Sequence, residues 1–93
     1  MTSGAPLENP DAHVLIEAKA SSGRDHIRLA LGQLLDYVRH TGPLFEMPAL
    51  AVLVPTRPTD DLMDLLSRSG VDAIWRKGRA FADSVGGRYS TKR

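Results

Sequence analysis

Ninety-three residues, 42% hydrophobic and 25% charged, make one small domain of ordinary globular composition and exclude wholesale disorder. The absence of cysteine excludes disulfide staples, thiolate zinc sites and cysteine nucleophiles. The net charge of +1 hides an asymmetry: residues 1–75 carry six Lys/Arg against ten Asp/Glu, whereas residues 76–93 carry Arg76, Lys77, Arg79, Arg88, Lys92 and Arg93 against Asp83 alone. No apolar run approaches the roughly 20 residues of a membrane span, and the first twelve residues are polar and proline-containing, unlike a signal peptide. The expected setting is the cytoplasm, with no membrane partner.

In chain order, residues 1–11 lack periodicity and hold two prolines, so they read as an irregular leader. Ala12–Ala20 reads as the first strand. Strict alternation puts Val14, Ile16 and Ala18 on one face and Leu15, Glu17 and Lys19 on the other, so acid and base share a face. The turn 21–24 offers serine hydroxyls for capping a helix over Asp25–His40. On its wheel Ile27, Ala30, Leu31, Leu34, Leu35 and Val38 form the core arc, bordered by a partly polar stripe of His26, Ala30, Gln33 and Tyr37.

Thr41-Gly42-Pro43 ends that helix, and Leu44–Pro48 is a loop that Phe45 and Met47 are placed to pin. Ala49–Val54 is apolar without alternation, the mark of a central strand covered on both faces. Pro55 stops it, and Asp60 and Asp61 open a helix whose apolar stripe is Leu62, Met63, Leu65 and Leu66, with Gly70 as the C-terminal stop. Val71–Trp75 is a third strand. The remainder reads mostly as loop around Phe81, packing near Trp75, before a basic tail over 83–93. Strand, helix, strand, helix, strand implies an α/β fold, its strands parallel and joined by right-handed crossovers.

Taken singly, the motifs have plain explanations. An acid-x-Lys triplet at a strand end is either a simple ion pair or a functional site. A polar stripe beside an apolar helix face is commonly a solvent border. The three histidines lack metal-ligand spacing, and Asp60, Asp61 and Asp64 are accounted for as helix-start charge. The basic residues Arg76, Lys77, Arg79 and Arg88 are candidates for contacts to nucleic-acid phosphates, against the alternative of a solvated C-terminus.

Together, His13-Val-Leu-Ile-Glu17-Ala18-Lys19-Ala20 and Ile27-Arg-Leu-Ala-Leu-Gly-Gln33-Leu-Leu-Asp-Tyr37 resemble the PD-(D/E)xK nuclease superfamily, whose fold is restriction-endonuclease-like. In that family the acid-x-Lys strand is followed by a helix with a Gln and often a Tyr one turn later. The resemblance covers residues 12–82 and implies a partial domain of that fold, with a mixed or parallel sheet flanked by helices. It implies Mg²⁺- or Mn²⁺-dependent hydrolysis of nucleic-acid phosphodiesters, of restriction, repair or mobile-element type. Glu17 and the carbonyl of Ala18 would be metal ligands, Lys19 would orient water and balance phosphate charge, and Gln33 would position Lys19 or the water. The competing class is a non-catalytic nucleic-acid-binding or protein-interaction module that keeps the fold.

The chain also departs from that pattern. The family places a helix and two strands, with a first metal-binding Asp, before the acid-x-Lys strand. Here only the leader precedes it; Asp11 is too close to Glu17 for an intervening hairpin, and Glu8 would fold back only by accident. The expectation is an N-terminally shortened domain with its acid-x-Lys strand near a sheet edge and half its metal shell missing. Such an edge predicts a homodimer, or a partner that covers it. DNA is the expected polymer, with RNA left open.

Overall fold

The computed structural model of the chain describes residues 7–9, 14–41 and 49–89. Five strands and two helices follow in the order β1 (Leu7–Asn9), β2 (Val14–Ala18), α1 (Arg24–Thr41), β3 (Ala49–Val54), α2 (Asp60–Arg68), β4 (Val71–Lys77) and β5 (Ala80–Asp83). The strands form one sheet in chain order. β2, β3 and β4 run parallel, while β1 and β5 are antiparallel at the two margins. The fold is therefore α/β with a mixed sheet.

β3 sits at the centre because its six residues are apolar on both faces. Leu50, Val52 and Val54 join Leu15, Val71 and Ala73 under the helices, which contribute Ile27, Ala30 and Leu34 from α1 and Leu62 and Leu66 from α2. Both crossovers link parallel neighbours in the same direction, so right-handed connections put both helices on that one face. On the other face Ala51 is buried with Val14 and Ile74, and Ile16, Phe81 and Tyr89 pack around them. The assignment of Leu15 and Val14 to opposite layers bears out the alternation read along the first strand.

Local chemistry sets the ends of α2. Thr59 is the N-cap, its hydroxyl accepting from Leu62 N at 3.4 Å, and Gly70 at φ 74° makes the left-handed exit that other residues resist. Ahead of α1, the Ser21 hydroxyl accepts from Gly23 N at 3.0 Å. Ser22 does not cap the helix. Its Oγ donates to the Thr56 carbonyl at 2.8 Å and accepts from Thr56 N and Oγ1 at 3.0 and 2.9 Å, tying the loop after β2 to the loop after β3.

Three expectations are corrected. Leu7–Asn9, read as part of an irregular leader, is a strand with the register Leu7↔Ile16, Glu8↔Leu15, Asn9↔Val14. It covers the margin of β2 over Val14–Ile16, so that stretch of the edge is not bare, and among the described residues the pairing stops before Glu17. The region after Trp75, read as loop, is the rest of β4 and then β5, joined by a two-residue turn with Gly78 at φ 64°. Phe81 consequently lies opposite Arg76 and on the face away from the helices, not beside Trp75, which belongs to the helix side. The positions of Phe45, Met47 and Asp11 lie outside the described residues.

Beyond β5 the chain closes on Asp83. Its carboxylate accepts from Val85 N and Gly87 N, each at 2.9 Å, and from Tyr89 N at 2.7 Å. Burial, the largest single influence, pushes this carboxyl's pKa up, but hydrogen bonds from the Tyr89, Gly87, Val85 and Arg88 backbone together hold it below the usual 3.8. The turn delivers Tyr89, whose hydroxyl donates to Asp72 Oδ2 at 2.7 Å.

Two stability measurements check this packing. Leu34 is fully buried between α1 and the sheet, and Leu34→Ala should cost about 2–5 kcal/mol in urea denaturation, a large part of the ~5–15 kcal/mol available to a domain. Burial and the bond to Asp72 push the Tyr89 hydroxyl from 10.0 up to about 12. The folded state thus keeps a proton that the unfolded state releases above pH 10, and stability should fall as pH rises between 10 and 12. Tyr89→Phe should be less stable at neutral pH and should lose that part of the alkaline slope.

Candidate functional site

Glu17 and Lys19 occupy the carboxyl end of β2. Glu17 pairs across the sheet with Val52, and Lys19, just past the strand, continues the ladder by donating its N–H to Leu53 O at 2.9 Å. Lys19 Nζ stands 3.5 Å from Glu17 Oε2, with the two side chains 15% and 4% exposed. The pair is therefore withdrawn from water, unlike Arg24–Asp61, Arg39–Asp36, Arg57–Asp60 and Arg68–Asp64, whose side chains are all exposed. A charge pair under the helix layer costs desolvation that a surface pair avoids.

The second carboxylate oxygen has no partner among the described residues. Glu17 Oε1 is buried and accepts no hydrogen bond from them, and the same is true of Gln33 Oε1. These orphaned acceptors lie on β2 and α1, elements that pack together. Buried acceptors ordinarily find donors, so the arrangement leaves two oxygens able to receive a cation, an ordered water or a ligand N–H.

The side of α1 that carries Gln33 follows from an ion pair on its far side. Arg24 binds Asp61 of α2, which turns that flank of α1 toward α2 and β4. Gln33 is nine residues on, about two and a half turns, and so on the flank opposite to the one that faces α2. Half-buried Gln33 and exposed Tyr37 share that flank as the stripe reading anticipated. Ala18, the end of β2, is exposed.

One acidic position was missed. Glu8 stands opposite Leu15 in the β1–β2 register, and opposite residues of an antiparallel pair share a sheet face. Position 8 is therefore on the face of Leu15 and Glu17. The signal in the sequence was a pair of apolar positions, Leu7 and Ile16, which the register sets opposite each other. Among the described residues no group of three or more His, Asp or Glu is placed to hold a metal.

The basic residues divide into two kinds. Arg88 is engaged, 3.3 Å from Asp72 Oδ2. Arg76, Lys77 and Arg79 are exposed at the β4–β5 turn. Nearby on the sheet's carboxyl edge, the Arg57 guanidinium lies 6.0 Å from the Trp75 ring centroid and 3.0 Å from Asp60; the first contact was not read from sequence, because it joins a loop to a strand with no shared periodicity.

Compared with known proteins, the chain matches no family model, no curated protein and no solved structure. Among the described residues no helix is long and apolar enough to cross a membrane.

The withdrawn pair makes a direct prediction. Lys19→Met leaves the Glu17 carboxylate buried without its counter-charge and should destabilise the fold by about 3–5 kcal/mol, and adding Glu17→Leu should restore most of that. Equilibrium urea unfolding measures both; a loss under about 1 kcal/mol for Lys19→Met would mean water already screens the pair.

Proposed function

We propose that this chain is a Mg²⁺-dependent nuclease, hydrolysing nucleic-acid phosphodiesters on a restriction-endonuclease-like fold, or a remnant of one, of restriction, repair or mobile-element type. The observation that carries the reading is the Glu17 carboxylate, buried at a strand end with one oxygen on Lys19 and the other unpartnered among the described residues. In open α/β sheets ligands gather at the carboxyl ends of parallel strands, which is where this pair sits.

The donor set fits a hard divalent ion in part: Glu17 Oε1 is an available carboxylate oxygen, and the Ala18 carbonyl is the adjoining backbone ligand that the family resemblance implies. A bound Mg²⁺ would supply Lewis acidity toward the phosphate. Lys19 would hold the attacking water by hydrogen bonding and place positive charge beside the pentacovalent phosphate as its negative charge grows. Gln33 would orient Lys19 or that water through its amide.

A second reading, a non-catalytic nucleic-acid-binding or interaction module, is favoured by the lack of any three-acid group among the described residues. Titration of Mn²⁺ by calorimetry, with Mg²⁺-dependent nicking of plasmid DNA alongside, decides between them. The expected outcome is metal binding lost in Glu17→Gln, and cleavage reduced by roughly two orders of magnitude in Lys19→Gln with metal binding kept. Absence of metal binding in the wild-type protein would leave the module reading, and cleavage that survives both Glu17→Gln and Lys19→Gln would discard this site.

A further inference from the structure

The carboxyl end of β4 does not stop with the sheet. β3 makes its last pairing at Val54↔Trp75, and Pro55 follows, whereas β4 and β5 continue through Arg76↔Phe81 and Lys77↔Ala80 to the turn at Gly78-Arg79. Residues 76–81 thus project beyond β3 as a two-stranded ribbon. Alternation puts Arg76 on the face of Phe81, Lys77 on the helix side with Trp75, and Arg79 at the tip. The ribbon is cationic on both faces and at its end.

These cations are also unlike the other arginines. Arg24, Arg39, Arg57, Arg68 and Arg88 each hold a carboxylate. Among the described residues, only Arg28, Arg76, Lys77 and Arg79 carry positive charge with no acidic partner, and three of these four fall on this one ribbon. The strand that pairs with them is thin: Ala80 and Ala82 flank Phe81, and Phe81 packs back onto the sheet. No acid interrupts residues 76–82. Arg57 on Trp75 stiffens the ribbon's root.

We propose that this ribbon docks in the major groove of duplex DNA, with Arg76 and Lys77 reaching phosphates on opposite walls and Arg79 entering at the tip. The B-form major groove, about 12 Å wide, admits a two-stranded ribbon, whereas the deep, narrow groove of A-form RNA does not. Contacts from both faces of a slim element suit two groove walls, and a single flat surface would need cations on one face only. The inference deepens the nucleic-acid part of the reading above and does not require hydrolysis.

The test is fluorescence anisotropy with the full chain and no divalent metal, on a labelled 20-base-pair DNA duplex, the matching RNA duplex and the DNA single strand. Arg76→Gln/Lys77→Gln/Arg79→Gln is compared with Arg28→Gln/Arg39→Gln/Arg68→Gln, which removes the same charge elsewhere, and circular dichroism verifies folding of each. Expected are tighter binding to duplex DNA than to either competitor, a loss of about tenfold or more in the ribbon variant with a salt slope lower by up to about 3, and less than about threefold loss in the control. The measurement is made without divalent metal and reads binding alone, so failure of the hydrolytic reading would not register here. Equal losses in the two triple variants, RNA duplex or single strand bound as tightly as DNA duplex, or no binding by the wild-type chain would each overturn the proposal.

Discussion

The structure depends on burying β3 from both sides. Ala49–Val54 exposes no polar side chain to either layer, and Ala51 and Val52 are wholly shielded, so this strand needs cover above and below before the chain gains from forming it. One cover is the helix layer, where Leu34 and Leu66 meet Val52 and Val54. The other is thinner, built from Ile16, Phe81 and Tyr89, which explains why a turn as polar as 84–88 is held so firmly by Asp83. Tyr89 closes this layer only if the turn delivers it.

The same constraint accounts for the location of Glu17 and Lys19. Parallel pairing with β3 lines up the carboxyl ends of β2, β3 and β4 along one margin of the sheet, and right-handed crossovers bring the start of each helix to that margin. A charged pair at the end of β2 is thus roofed by α1 and not left in water. The Ser22–Thr56 hydroxyl contacts bind the two loops that leave β2 and β3 there, so the surroundings of the pair are set by several interactions and not by the pair alone. Rigid support of this kind is what a precise site requires.

Much of the fold was legible because its signals were local. The apolar run 49–54, the stripe Ile27–Leu34–Val38, the Asp60-Asp61 start of α2 and the Gly70 stop each state their structure within a few residues. The failures concern pairings between short, irregular pieces. Leu7–Asn9 is three residues long and becomes a strand only because β2 offers it a ladder, and Ala80–Asp83 does so because Gly78 turns the chain back; neither has enough alternation to announce itself. For the candidate site, alternation was sufficient to unite Glu17 with Lys19, since both belong to one strand end. It was silent on the orphaned oxygens, the neutralisation of Arg88 by Asp72 and the face shared by position 8, which depend on register and on distant partners.

Strand order has a consequence for how the domain is made. Because β1 to β5 lie side by side in the order of synthesis, no strand waits for a later one to arrive between it and its neighbour. Each new segment can add to a ladder already present, and most ladder contacts span only a hairpin or one helical crossover, a topology of short loop closures associated with fast folding. An emerging chain could therefore zip up from its N-terminal hairpin, with the unsatisfied margin moving forward one strand at a time until the short β5 seals it. In that process β3 is the vulnerable moment: α1 already covers part of one face, but the other stays incompletely covered until Phe81 and Tyr89 leave the ribosome.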